Sequence, residues 1–287
     1  MRTLDGKVVV ITGAGSGIGR ALALEMAGRG ARLALSDVDE AGLGDTVRML
    51  STSDVRADRL DVRDRDAFAA YASAVVTQFG GVNVVVNNAG VALTGTVLES
   101  GYDDIGWVMD IDFWGVVHGT KEFLPHLIAS GDGHLVNISS LFGLLSVPTQ
   151  SAYNAAKFAV RGFTESLRME MLEAGHPVGV TSVHPGGIKT AVARNARVVG
   201  DLDQVELARF FDAKLARTTA QRAARDIVRG ILTDKPRVVI GWDAKALDIL
   251  VRVLGGRYIG VMARTTRKMM PRAATAASPA VSGSEVA

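Results

Sequence analysis

Tyr153 and Lys157 stand four residues apart in the stretch 151–173, whose Ala, Leu, Met and Glu content predicts a helix. Residues i and i+4 share a helix face, so the phenol and the ammonium point into one space. A tyrosine ordinarily titrates near about 10 and is a poor base at neutral pH. A cation a few ångströms away favours the phenolate and lowers that value. The pairing therefore makes a general acid/base from a residue that is not normally one. Ser140, at the end of the apolar run Leu135-Val136-Asn137-Ile138, offers a hydroxyl to the oxygen on which the tyrosine would act. Alone, Tyr-x-x-x-Lys is a weak signal, because a surface tyrosine beside a solvated lysine has the same spacing. The flanking elements must decide.

Val8-Val9-Val10-Ile11 is a β-branched run that predicts a buried parallel strand. It leads into Thr12-Gly13-Ala14-Gly15-Ser16-Gly17-Ile18-Gly19 and a helix over 20–29. Glycines there permit a tight turn and the close approach of a diphosphate, while the helix start offers free N–H groups. Ile18 occupies the slot where the strict G-x-G-x-x-G pattern has its third glycine. The next strand, 32–37, ends in Asp37, close to where a dinucleotide fold sets a carboxylate on the adenosine ribose hydroxyls. A 2′-phosphate would be repelled, and neither Ser16 nor Val38 is basic, so the pattern favours NAD over NADP. The competing reading makes Asp37 a cap for the following helix.

Further strands are predicted at 55–60, ending at Asp61-Val62, and at 82–86, running into Asn87-Asn88-Ala89-Gly90. Others follow at 135–140, 178–183 and 237–241, with helices at 64–79, 102–130 (in one piece or two), 151–173 and 219–232. This β–α alternation predicts an α/β domain with a parallel sheet of about seven strands and helices on both faces. One domain spans 1–241, with a loop–helix substrate lid at about 191–218 that carries Phe210-Phe211. Residues 242–272 hold seven lysines and arginines against two aspartates among leucines, isoleucines and valines. Such a basic amphipathic helical extension can lie on an anionic membrane surface or pack against the domain or a neighbouring subunit. The end, 273–287, is expected to be a mobile tail.

Composition excludes several classes. A net charge of +2 gives no reason to expect nucleic acid as a partner. With no cysteine there is no thiolate chemistry, and the five histidines lack ligand spacing, so no metal is expected. No leader-type apolar segment precedes the first strand and no run reaches the roughly 18 apolar residues of a membrane span. The expected compartment is cytoplasmic.

Taken together, these motifs resemble the short-chain dehydrogenase/reductase family over about residues 5–240. The resemblance implies a single Rossmann-like doubly wound sheet and reversible hydride transfer between a nicotinamide and an alcohol or carbonyl carbon. It makes Gly13, Ser16, Gly17, Ile18 and Gly19 the cofactor turn, Asp61 and Val62 the adenine contacts, and Asn88-Ala89-Gly90 the stretch that steadies the sheet beside the cofactor. Ser140, Tyr153 and Lys157 fall on the catalytic serine, tyrosine and lysine, with Lys157 also gripping the nicotinamide ribose. Pro185 and Gly186 open the segment that holds the nicotinamide amide, through the backbone of Ile188 and the hydroxyl of Thr190. A homodimer or homotetramer formed through helix faces is implied as well.

One residue departs from the family's pattern. In Asp112-Phe113-Trp114-Gly115 an aspartate stands where the family carries an asparagine that helps hold a water between the lysine and solvent. Ionised aspartate accepts from such a water but cannot donate, and its charge would raise the pKa of Lys157. It could equally just preserve a structural hydrogen bond. Leu141-Phe142-Gly143-Leu144-Leu145 and Val91-Ala92-Leu93 could line an apolar pocket, which hints at a hydrophobic secondary alcohol or ketone of steroid, terpenoid or fatty-acyl type, or could be core. The rival to an enzyme is a catalytically retired NAD-binding protein, for which Asp112 is the one supporting feature.

Overall fold

The computed structural model describes residues 1–188, 196–200, 203–210 and 217–269. The short apolar runs become strands β1 (Val8–Thr12), β2 (Arg32–Asp37), β3 (Val55–Arg59), β4 (Val84–Asn87), β5 (Leu93–Thr94), β6 (Gly133–Ile138), β7 (Val178–Pro185), β8 (Arg197–Val198) and β9 (Arg237–Ile240). Between them lie helices α1 (Gly17–Ala27), α2 (Glu40–Arg48), α3 (Arg65–Phe79), α4 (Tyr102–Met109), α5 (Gly115–Ala129), α6 (Ser151–Glu173), α7 (Gln204–Phe210) and α8 (Ala220–Leu232). After β9 come α9 (Trp242–Leu254) and α10 (Tyr258–Met269).

Seven strands form one parallel sheet in the order β3-β2-β1-β4-β6-β7-β9. The order reverses between β1 and β4, which opens a crevice at their carboxyl ends, where the glycine turn and Asn88-Ala89-Gly90 both lie. Every residue of β1, β4 and β6 is buried, as a sheet covered on both faces requires. On one face Val9 and Ile11 pack with Leu22 and Met26 of α1 and Ile227 and Ile231 of α8. On the other, Val85 and Leu135 pack with Phe68, Val75 and Phe123, and the Phe68, Tyr71 and Phe123 rings meet edge to face.

The predicted strands and long helices are present, with ends moved by a few residues. α2, the helix after β2 to which no bounds were given, forms although Gly42 and Gly44 lower its helix propensity; Asp39 caps it by accepting from the Gly42 N–H at 3.1 Å. The 102–130 region is α4 and α5 joined by a π-helical turn, Asp110–Trp114. The two-residue strands β5 and β8 pair in a separate small parallel sheet, too short to leave a periodic signal. The C-terminal extension is two helices rather than one, broken at Gly255-Gly256, where Gly255 takes φ +53°. Among the described residues no helix is long and apolar enough to cross a membrane.

A buried polar chain fixes α6 on the sheet. Asn87 Nδ2 on β4 donates to Asn137 Oδ1 on β6 at 2.8 Å, and Asn137 Nδ2 donates to Thr164 Oγ1 on α6 at 3.0 Å. The Thr164 hydroxyl then donates to the Val160 carbonyl at 2.6 Å. Replacing Asn137 by Ala strips partners from two buried polar groups, and the expected loss is about 2 kcal/mol. A lower urea midpoint at unchanged slope would show it.

Candidate active site

α6 carries Tyr153 and Lys157 on one face, and Lys157 Nζ lies 5.6 Å from the Tyr153 ring centroid. The Ser140 side chain lies close enough to the Tyr153 phenol to favour its anion. Ser140 stands on extended backbone at the start of a short 3₁₀ turn, and its Oγ accepts from the Phe142 N–H at 3.1 Å. The Phe142 ring meets Tyr153 edge to face at 6.1 Å. The predicted trio is thus brought together.

Asp112 joins it from the π turn. Its side chain is 0% exposed and its Oδ2 lies 3.1 Å from Lys157 Nζ, itself 5% exposed. Asp112 Oδ1 accepts from the Val91 N–H at 2.7 Å, and Nζ also donates to the Ile138 carbonyl at 3.3 Å. The carboxylate therefore touches the ammonium directly, where the sequence suggested a role through water. The structural bond considered as the alternative is also present, to Val91. Gly90 sits over the pair: a Cβ there would lie 3.2 Å from Asp112 Oδ1 and 3.3 Å from Lys157 Nζ.

Three residues that sequence reasoning passed over hold this arrangement. The Ser139 hydroxyl donates to the Lys157 carbonyl at 2.8 Å. Asn154 Nδ2 donates to the Phe142 and Leu145 carbonyls at 2.9 and 3.0 Å, clamping the loop after Ser140 to α6. His184 Nδ1 lies 2.9 Å from the Ser140 carbonyl and Nε2 lies 2.9 Å from Ser182 Oγ. A carbonyl only accepts, so Nδ1 carries the proton and Nε2 accepts from the serine. Burial lowers His184 to about 4, so the ring is a neutral strut near pH 7. The only available signals were an asparagine beside the tyrosine and a histidine at a strand end.

On the β1 side, Gly13 takes φ +66°, and a Cβ there would lie 2.8 Å from Ala89 Cα. Asn88 Nδ2 donates to the Thr12 and Gly13 carbonyls at 2.9 and 3.1 Å, and Thr12 Oγ1 accepts from the Asn88 and Ala89 N–H groups. The Asn88 side chain is therefore a staple between β4 and the glycine turn. Ser16 is the exposed N-cap of α1 and makes no side-chain capping bond, so the first N–H groups of that helix, at Gly17, Ile18 and Gly19, stay uncapped. Asp37 Oδ2 accepts from the Gly15 N–H at 2.7 Å and Oδ1 from the Asp39 N–H at 3.0 Å, which leaves lone pairs for ribose hydroxyls. It is Asp39, rather than Asp37, that caps the next helix. Arg20, behind the turn, directs its guanidinium to the Gly15 and Gly42 carbonyls and Thr46 Oγ1. Uncapped helix amides and a strand-end carboxylate across a glycine cradle fit a dinucleotide.

The remaining predicted contacts are mixed. Asp61 is chelated by Arg63, whose Nη2 lies 2.6 Å from Oδ2 and which holds the carboxyl below its usual value. Val62 is buried beneath Gly115, and its carbonyl faces His118 Nδ1 at 3.0 Å. Pro185 ends β7, the Gly186 N–H donates to the Ile240 carbonyl at 2.9 Å, and Ile188 is buried and bridged to Thr218. Thr190, Phe211 and the tail 273–287 lie outside the described residues. In the segment expected to form a lid, β8 pairs with β5, and Arg197 bonds Asp104 at 2.8 Å and stacks on Trp107 at 4.0 Å.

Residues 7–198 match the family described as short chain dehydrogenase. SadH of Mycobacterium tuberculosis, which bears an oxidoreductase name, is 59% identical over 273 residues, covering 94% of this chain and 99% of the relative. The chain belongs to the short-chain dehydrogenase/reductase family. A crystal structure of a family member from Burkholderia phymatum in complex with NAD superposes with a TM-score of 0.81 at 31% identity, covering 97% of this chain and all of that one. Dehydrogenase/reductase SDR family member 7B of Xenopus tropicalis is 33% identical over 275 residues, covering 92% of this chain and 87% of the relative.

Loss of water around the half-buried phenol pushes the Tyr153 pKa up; Lys157 lowers it, as its spacing suggests, but does not outweigh that burial, and Asp112 adds to the rise, so Tyr153 stands above its ordinary value. Burial disfavours the Lys157 ammonium, yet Asp112 and Tyr153 outweigh it and its pKa is raised, as the sequence suggested. Burial raises Asp112, against the pull of Lys157 and the Val91 N–H. Of the apolar run, Leu141, Leu144, Leu145 and Leu93 take the core alternative, leaving Phe142, Val91 and Ala92 half-buried.

His134 and His184 are both buried and both lowered from 6.5 to about 4. The unfolded chain binds their protons as pH falls through about 6.5, while the folded chain resists until about 4, so stability declines across that window. The expected loss is about 3 kcal/mol per histidine. Urea midpoints measured at neutral and mildly acidic pH should show the decline, and a His184→Gln variant should show a shallower one.

Proposed function

We propose that the protein is an NAD(H)-dependent oxidoreductase that interconverts a secondary alcohol and a ketone. The observation that carries this reading is the convergence of the Ser140 and Tyr153 side chains beside the buried Lys157, whose ammonium lies against Gly90 of the Asn88-Ala89-Gly90 stretch. NAD rather than NADP is supported by the Asp37 carboxylate at the end of β2 and by the NAD complex of the Burkholderia phymatum relative. When bound, the nicotinamide gives or takes the hydride. Tyr153 donates its phenolic proton to the carbonyl oxygen in reduction and takes it back in oxidation. The Ser140 hydroxyl donates to that same oxygen and fixes its position, and Lys157 stabilises the phenolate that remains.

Charge at the site bears on direction. Lys157 and Asp112 form a neutral pair, so ionising Tyr153 leaves one net negative charge in a dry setting. The protonated phenol is favoured, which suits a proton donor and hence carbonyl reduction near neutral pH. Half-buried Phe142, Val91 and Ala92 support an apolar carbonyl compound. Exposed Phe158, Met169 and Leu172 on the outer face of α6 support a homodimer or homotetramer. A cleft of about 340 Å³, lined by Ser146, Val147, Ser151, Asn154, Ala155 and Phe158, lies between the loop after Ser140 and α6. A retired NAD-binding protein is the second reading, favoured by Asp112; tight NADH binding without turnover of any ketone would establish it.

Tyr153→Phe should lower turnover by roughly 10²–10⁴-fold and leave NADH binding, read by fluorescence, nearly unchanged. A kcat/KM for NADPH equal to that for NADH would refute the argument from Asp37. Asp112→Asn removes the negative charge that holds the phenol protonated. The alkaline rise in alcohol oxidation should then move to lower pH, and the absorbance titration of the tyrosinate in the cofactor-free protein should move with it.

A further inference from the structure

The arm formed by α9 and α10 is two-sided. Ala244, Leu247 and Val251, with Tyr258 and Met262, pack on Leu141 and Leu145 of the loop that follows Ser140. The Tyr258 hydroxyl accepts from the Ser146 N–H at 3.2 Å, and Asp243 accepts from the Gly187 N–H at 3.4 Å. The arm therefore covers both the catalytic loop and the segment after β7.

On the other side of α9, apolar side chains are exposed among the described residues. Trp242, Ala246, Ile249, Leu250 and Val253 recur at helical spacing and share one face. Of these, Trp242 is 66% exposed, Ile249 62% and Val253 77%. Ile259 and Val261 of α10 are exposed too. Cations flank this stripe: Lys245, Arg252, Arg257 and Arg264 are exposed, and the Arg217 guanidinium sits 5.3 Å over the Trp242 ring. Among the described residues of the arm the acids are only half-exposed, and Asp248 is already paired with Arg252 at 3.0 Å.

That charge pattern selects the occupant. A second copy docked about a two-fold axis would bring these cations against their own counterparts, with no exposed acid on the arm to meet them. A surface of anionic headgroups over hydrocarbon matches both features, since an interfacial helix buries its apolar face and sets its cations on phosphates.

We propose that α9 and α10 dock the protein on an anionic lipid bilayer, with Trp242, Ile249, Leu250 and Val253 in the acyl boundary and Lys245, Arg257 and Arg264 on headgroup phosphates. Because the arm lies on the loop after Ser140, docking sets the substrate entrance at the lipid surface; this consequence alone rests on the enzymatic reading above.

Sedimentation of the full chain with phosphatidylcholine vesicles, with and without phosphatidylglycerol, tests the docking independently of turnover. Binding should require phosphatidylglycerol, weaken with salt, and shift tryptophan emission to the blue. An Ile249→Asp/Val253→Asp double variant and a Lys245→Glu/Arg257→Glu double variant should each bind at least about tenfold more weakly. Both should keep the parent's urea midpoint and NADH affinity, since these side chains face outward. No binding to phosphatidylglycerol vesicles overturns the proposal. So does unaltered binding by both variants, or a fall in mass by light scattering in the apolar-stripe variant, which would make the stripe a subunit contact. Loss of turnover with docking intact would instead count against the catalytic reading alone.

Discussion

A buried carboxylate held against a buried ammonium is the constraint around which this site is arranged. Taking either charge out of water alone would cost several kcal/mol, and the pair is tolerated because each end has further partners. Asp112 has the Val91 N–H, and Lys157 has the Ile138 carbonyl. Much local structure follows from accommodating the pair. Gly90 has no side chain because a Cβ would press on both charged atoms. The π turn at Asp110–Trp114 inserts a residue into an otherwise continuous helix and turns Asp112 inward, a distortion of the kind that recurs at functional sites. Ser139 and Asn137 hold α6 in the register that brings Lys157 to meet it.

The pair also sets the electrostatics of the phenol. A lone ammonium beside a tyrosine would favour the anion; an ammonium already matched by a carboxylate does so far less. Tyr153 therefore depends more on how its hydroxyl is aimed than on a pre-formed negative charge. That places weight on the parts that aim it: Asn154 clamping the loop, and His184 holding the Ser140 carbonyl from behind. His184 serves only while neutral, and its burial keeps it so across the physiological range.

What could be read in the sequence was whatever a local rule governs. Tyr153 and Lys157 were legible because helix spacing alone puts them on one face, and β1, β4 and β6 because buried parallel strands are continuous apolar runs. Asp37 and the glycine turn were legible because one strand–turn–helix unit contains them. The π turn was not, since nothing in Asp-Ile-Asp-Phe-Trp distinguishes an extra residue from regular helix. His184 and Ser140 lie forty-four positions apart and meet only because β7 and β6 are neighbours. Leu141 and Leu145 stayed ambiguous for the same reason: an apolar run beside a catalytic serine reads equally as pocket or core, and the distant arm decides between them.

That decision carries a mechanical consequence. The loop after Ser140 is gripped from two directions, by Asn154 on α6 and by Tyr258 on the arm, whose hydroxyl accepts from the Ser146 N–H. Through Asp243 the same arm reaches the glycines that follow β7. An element that touches both loops cannot move without displacing one of them, because packed side chains shift between discrete arrangements rather than deforming smoothly. The glycine break at Gly255-Gly256 gives α9 and α10 separate orientations, so one helix can keep its inner face on the loop while its outer face engages a surface. Docking of the arm's far side, as proposed above, would therefore bear on the position of the loop that carries Ser140.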